Sequence, residues 1–72
     1  MKEKIKISYL PLRILLTKRN ISITSIGREL GISSKIISKL NNDTDYVSLR
    51  TLVRICEHLD VPIEEVVEIK RN

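Results

Sequence analysis

Gly31 constrains this chain more than any other residue. Apolar side chains stand at regular distances on both sides of it: Ile26 and Leu30 at five and one residues before, Ile32, Ile37 and Leu40 at one, six and nine after. Gly27, four residues before, has no side chain to hold neighbouring backbone away. In residues 22–40, SITSIGRELGISSKIISKL, this spacing predicts two short amphipathic helices that cross around a shared core through a tight turn at Gly31. The second helix then keeps one polar face, which can enter a DNA groove.

A chain of 72 residues makes a single domain, residues 1–72, near the lower limit for one unaided hydrophobic core. Hydrophobic residues are 42% and aromatics only 3%, so the expected core is aliphatic, with little room for a buried substrate pocket. Lys and Arg number 13 against nine Asp and Glu. Ten basic and four acidic residues lie in 1–50, whereas 51–72 carries three basic and five acidic. A basic front and an acidic back suit a module that sets one face against a polyanion; charge alone fits a generic solvated surface equally well.

The sole cysteine, Cys56, excludes an internal disulfide and points to a reducing compartment. The N-terminal apolar run Tyr9–Leu16 is interrupted by Pro11 and Arg13 and is followed by no small-residue cleavage site. No stretch approaches the roughly 20 apolar residues of a membrane span. A cytoplasmic location without a membrane partner is the expectation.

Lys4-Ile5-Lys6-Ile7 alternates polar and apolar residues, the period of a half-buried strand. Pro11 suits a first helical turn, and Leu12, Leu15 and Leu16 repeat at helical spacing, which predicts a helix from about Tyr9 to Arg19 closed by Asn20. Ser22 or Thr24 caps the second helix, which runs to Leu30, and Ser33 caps a third, Ser34–Asn41. After the turn-forming Asn42-Asp43-Thr44-Asp45, Ser48 caps a fourth helix with the apolar stripe Leu52, Ile55, Cys56 and Leu59. Pro62 opens a short fifth, with Glu64 and Glu65 in its first turn. Val66, Val67 and Ile69 read as a terminal strand. The two strand-like ends are too short to stand alone and are expected to pair, within one chain or between two.

Ser22–Asn42 resembles the helix-turn-helix of the phage Cro/repressor-type transcription factors, the XRE family. The apolar positions, the small Gly27, the turn at Gly31 and the I-S-K-L ending at Leu40 match. SLRTLVRICEHLDVPIEEV looks like the fourth and fifth helices of that family, and the strand-like ends resemble a small subgroup of it. The resemblance covers nearly the whole chain. It implies an all-α, five-helix lambda-repressor-like DNA-binding domain with short terminal β-strands able to pair. Two positions depart from the family pattern: Ile23 stands where glutamine often braces the recognition helix, and Asp43 where glycine often follows it. Ile23 cannot make the glutamine's hydrogen bond, and an acidic Asp43 near phosphate would turn the connector away from DNA.

The recognition helix of this motif presents its N-terminal residues to base edges. With Ile37 and Leu40 inward, Ser34, Lys35, Ser38 and Lys39 fall on the other face or its flanks. Either lysine can reach guanine O6/N7 or a phosphate, or simply be solvated, and serine hydroxyls discriminate bases weakly. Ser33 divides its hydroxyl between capping and DNA. Asn42 and Arg50 sit where the family usually grips phosphate, and the starts of the second helix, at Ser22, and of the fourth offer backbone N–H groups. Arg13 and Arg28 are secondary phosphate candidates, and Ile36 reads as core or edge packing.

The sequence shows no catalytic constellation, no cofactor motif and no small-molecule effector site. Cys56 and His58, two residues apart on a helix, diverge by about 200°, so they read as a core residue and a surface residue rather than metal ligands. The leading reading is a sequence-specific transcriptional regulator that inserts its third helix into the major groove of double-stranded DNA. The alternative is a protein-interaction module, such as an antitoxin or accessory subunit. Regulators of this kind usually act as homodimers on two half-sites. Ile5, Ile7, Val66, Val67 and Ile69 are the expected dimerisation surface, unless they close the monomer's own core.

Overall fold

The computed structural model describes residues 5–70. Strand β1 (Ile7–Ser8) leads into helices α1 (Leu10–Lys18), α2 (Ile23–Leu30), α3 (Ser34–Asn42) and α4 (Leu49–Leu59), then a 3-10 turn (Ile63–Glu65) and strand β2 (Glu68–Ile69). Lys4, the first residue of the expected N-terminal strand, lies outside the described residues. The terminal strands pair antiparallel within the chain, Ile7 opposite Ile69 and Ser8 opposite Glu68. Beyond the ladder, the Lys70 N–H donates to the Lys6 carbonyl at 2.7 Å.

Helix boundaries follow local chemistry. Pro11 occupies the first turn of α1, where its missing N–H costs nothing. The hydroxyls of Ser22, Ser33 and Ser48 accept from the N–H groups of Thr24, Ile36 and Thr51 and so cap α2, α3 and α4. Asn20, Gly31, Asp43 and Asp60, at the four helix ends, all adopt the left-handed conformation, with φ of 58°, 70°, 53° and 56°. Only Gly31 does so without a Cβ penalty. Asn and Asp tolerate it because their short polar side chains can hydrogen-bond locally.

The expected fifth helix is a single 3-10 turn, so the described residues form four α-helices rather than five. Val66 is fully buried and its carbonyl accepts from the Leu12 N–H at 3.2 Å, which fixes the chain against α1. Only three residues then separate Pro62 from Val66. They close i to i+3 bonds, Glu65 N–H to Pro62 O and Val66 N–H to Ile63 O, before the β-branched pair runs into β2.

Leu12, Leu16, Ile26, Leu40, Val47, Leu52, Ile55, Cys56, Leu59 and Val66 form the core. The fourth-helix stripe is buried as its spacing predicts. An aliphatic core was expected, yet Tyr9 sits at its centre, fully buried, where its oxygen accepts the Val47 N–H at 2.7 Å. Burial pushes the Tyr9 phenol above its usual range. No helix among the described residues is long and apolar enough to cross a membrane.

Candidate nucleic-acid interface

The turn between α2 and α3 rests on two glycines with different tasks. Gly31 supplies the left-handed residue, and the following Ile32 N–H closes onto the Gly27 carbonyl at 2.8 Å. Gly27 allows a close helix crossing: a Cβ there would stand 2.9 Å from Ile37 Cδ1. With α2 this near, α3 turns Leu40 fully inward, while Ile36 and Ile37 are half-buried against the core. Ile36 therefore packs at the core edge.

The opposite side of α3 meets solvent. Ser34, Lys35 and Ser38 are exposed, and Lys39 is half-buried at the flank. Lys39 Nζ lies 3.8 Å from the Asp45 carboxylate, a long surface pair that contributes little stability. Ser22 and Ser33 are exposed at their caps, with their oxygens turned to the backbone N–H groups they satisfy. Asn42 folds back along its own helix: its Nδ2 donates to the Ser38 carbonyl at 3.0 Å and to the Ser38 hydroxyl at 3.3 Å. That rotamer turns the amide nitrogen to its own helix. Arg50 is exposed in the first turn of α4, beside the Ser48 cap. Exposed Thr24 and Arg28 on α2 share a shallow recess with Ser34.

Arginine chemistry divides between the interface and the scaffold. Arg13 Nη1 donates to the Leu40 carbonyl at 2.6 Å, and Arg19 Nη1 to the Leu59 carbonyl at 2.6 Å. Arg54 donates to the Leu30 carbonyl. Thus the C-terminal carbonyls of α3, α4 and α2 each receive a guanidinium from a distant element, complementing the helix dipole. Arg13, a secondary phosphate candidate from sequence, is thereby held inside the scaffold.

The same arginine resolves Asp43. Its carboxylate accepts from Arg13 at 2.9 and 3.2 Å, from the Tyr9 N–H at 2.9 Å and from the Ser8 hydroxyl at 3.1 Å. The Arg13 hydrogen bond outweighs the upward push of burial, and the Tyr9 N–H and Ser8 hydroxyl add to it, so the carboxyl is held down at about 2. The connector is therefore anchored to the start of α1 by its acidic residue. Ile23, at the family's glutamine position, is half-buried and packs on the core; it braces by contact alone.

The expected dimerisation residues differ in exposure, and Ile7 and Ile69 stand opposite one another in the strand pair. Val66 is fully buried in its own core, Ile5, Ile7 and Val67 are half-buried against it, and Ile69 is 72% exposed. Cys56 is buried, with its thiol pushed up by burial and further by Glu64. His58 Nε2 meets the Glu29 carboxylate at 2.8 Å, joining α4 to α2. Among the described residues no cluster of three or more metal-ligating side chains occurs. Sequence reasoning missed the Ser8–Tyr9–Arg13–Asp43 cluster. The one available signal was an Asp in place of the family's glycine, a left-handed site that wants a reason for its side chain.

The arrangement puts Thr24 and Arg28 of α2 beside Ser34 at the start of the exposed polar face of α3, a layout that can dock a phosphate backbone and probe a groove. The family model of the Cro/C1-type HTH DNA-binding domain matches residues 11–72. No curated protein matches the chain. The fold is similar to the crystal structure of the transcriptional regulator VanUg (form II), with a TM-score of 0.85 and 27% sequence identity, covering 99% of this chain and 93% of that one. With the match spanning everything from the first turn of α1 to the C-terminus, the chain belongs to the Cro/C1-type helix-turn-helix DNA-binding family.

Proposed function

We propose that this protein is a sequence-specific transcriptional regulator that inserts α3 into the major groove of double-stranded DNA and acts in the cytoplasm as a homodimer. The observation that carries this reading is the outward face of α3: exposed Ser34, Lys35 and Ser38, with exposed Arg28 on α2 sharing a recess with Ser34. Its similarity to VanUg, a transcriptional regulator, supports the regulatory role. Lys35 reads base edges or phosphate near the start of the helix. Ser34 and Ser38 supply short-range donors and acceptors, with Ser33 and Ser22 at the caps. Arg50, Asn42 and Lys39 set register on the backbone. No cofactor enters this mechanism.

Lysines and serines discriminate bases less sharply than a bidentate arginine or glutamine, so moderate specificity is the expectation. Selection from a randomised duplex pool, followed by titration at several salt concentrations, tests the assignment. Lys35→Ala should cost about 1–3 kcal/mol at particular base pairs and relax preference there. Arg50→Ala should weaken binding to all sequences alike and lower the salt slope by about one. A selection with no enrichment over bulk DNA would refute the sequence-specific reading.

A further inference from the structure

Tyr46 is 50% exposed, yet its ring is held in place. It stands in the connector that leaves the recognition helix, just past Asp43, and its hydroxyl accepts the Lys6 N–H at 2.9 Å. That bond changes the end of the strand ladder. Opposed antiparallel residues of a hydrogen-bonded pair exchange two bonds. Here the Lys70 N–H donates to the Lys6 carbonyl, whereas the Lys6 N–H turns to Tyr46 instead. The chain just before β1 is thus tied to the exit of α3, and the Lys6 and Tyr46 side chains both stay exposed.

We propose that Tyr46 and Lys6 together clamp one DNA phosphate beside the recognition helix. The inference rests on the DNA reading and adds to it a backbone contact from outside the helix-turn-helix. A phosphate oxygen accepts hydrogen bonds, so a clamp needs uncommitted donors. A tyrosine hydroxyl has one proton and two acceptor positions. The Lys6 N–H occupies an acceptor position, and among the described residues nothing accepts the Tyr46 proton. An ammonium group carries three donors, and among the described residues Lys6 enters no ion pair.

The two acids of the connector are already engaged. Asp43 is paired with Arg13. One carboxylate oxygen of Asp45 accepts the Tyr46 N–H at 2.7 Å, and the other lies 3.8 Å from Lys39 Nζ. Their repulsion of a phosphate is therefore reduced at the rim where Tyr46 and Lys6 stand. Exposed Lys70, across from Lys6, offsets Glu68 on the strand pair. Groove dimensions supply the phosphate. The major groove is about 12 Å wide and a helix with its side chains about 10–12 Å across. A helix lying in the groove thus brings its exit loop against the sugar–phosphate wall. Tyr46 is ordered by Lys6 before DNA arrives, so little side-chain freedom is lost on contact.

Salt titration separates the clamp from a tether. Wild-type, Tyr46→Phe, Lys6→Gln and Lys18→Gln chains, with folding checked by circular dichroism, are titrated with mixed-sequence duplex at several salt concentrations. Lys18 lines a recess with Glu65 and Glu68, so its substitution controls for net charge alone. Lys6→Gln should lower the salt slope by about one. Tyr46→Phe removes no charge and should weaken binding about tenfold with the slope unchanged. A Tyr46 that only tethered the strand would release Lys6 when replaced, and the slope would fall with it. Unchanged affinity for Tyr46→Phe, a slope that falls with Tyr46→Phe, or a Lys6→Gln slope equal to that of Lys18→Gln would each overturn the clamp and leave the role of α3 standing. A wild-type chain that binds no duplex refutes the DNA reading and the clamp together.

Discussion

Replacing Asp43 by Asn should destabilise the domain by about 1–2 kcal/mol at neutral pH, and the loss should vanish in acid. The side chain is 17% exposed and its Arg13 partner 27%, so the pair is only partly screened. The carboxyl falls from 3.8 to about 2. That difference corresponds to about 2.4 kcal/mol at 1.36 kcal/mol per unit, and partial exposure of both groups trims it to the lower figure. The folded state holds the proton less tightly than the unfolded chain. The stabilisation is therefore complete above the unfolded value and is lost as pH falls through about 2.

Asn keeps the left-handed conformation accessible, so the substitution isolates charge from backbone strain. A domain of this size has a total stability of roughly 4–11 kcal/mol, and the effect is readily resolved. Urea denaturation followed by helical circular dichroism, at neutral pH and at several values down to about 2, gives the wild-type minus variant difference. Arg13→Met alone should cost at least as much, because it strands a partly buried carboxylate and leaves the Leu40 carbonyl uncapped. A difference below about 0.5 kcal/mol at neutral pH, or one that is flat across the titration, would refute the argument.

Tyr9→Phe removes the acceptor of the buried Val47 N–H and should cost about 1–3 kcal/mol in the same denaturation assay. Gly27→Ala sets two effects against each other. The helix interior gains about 0.5–1 kcal/mol, and the Ile37 Cδ1 atom at 2.9 Å is the movable end of a flexible side chain. We expect a net change near zero, whereas Gly27→Val, whose branches cannot avoid Ile37, should lower the melting temperature clearly.

Much of the secondary structure was legible from neighbouring residues. Serine caps, the Pro11 start, Asn20 as a terminator and the α4 stripe depend on atoms a few residues apart, and local sequence encodes them directly. The polar face of α3 was legible for the same reason, since inward Leu40 and Ile37 fix where Ser34, Lys35 and Ser38 must point. The fifth helix misread as helix shows the limit. Glu64 and Glu65 after Pro62 are a sound local signal, but Val66 is pulled onto α1 by a partner 54 residues away in sequence, Leu12, and the helix has no room to continue.

The sequence alone thus determined which segments are helices, where they start, and that a tight turn at Gly31 joins the pair that meets DNA. Only the tertiary structure decided which arginines hold the ends of other helices. Arg13, Arg19 and Arg54 read like any basic residue in the chain, yet each is turned to a carbonyl 24 to 40 residues distant. The tertiary structure likewise decided that Asp43 is an ion-paired anchor and that α4 keeps an apolar stripe, Leu49 and Val53, uncovered. Capping and periodicity act over one or two helical turns, whereas the end of a long arginine side chain goes where packing has left an unsatisfied acceptor.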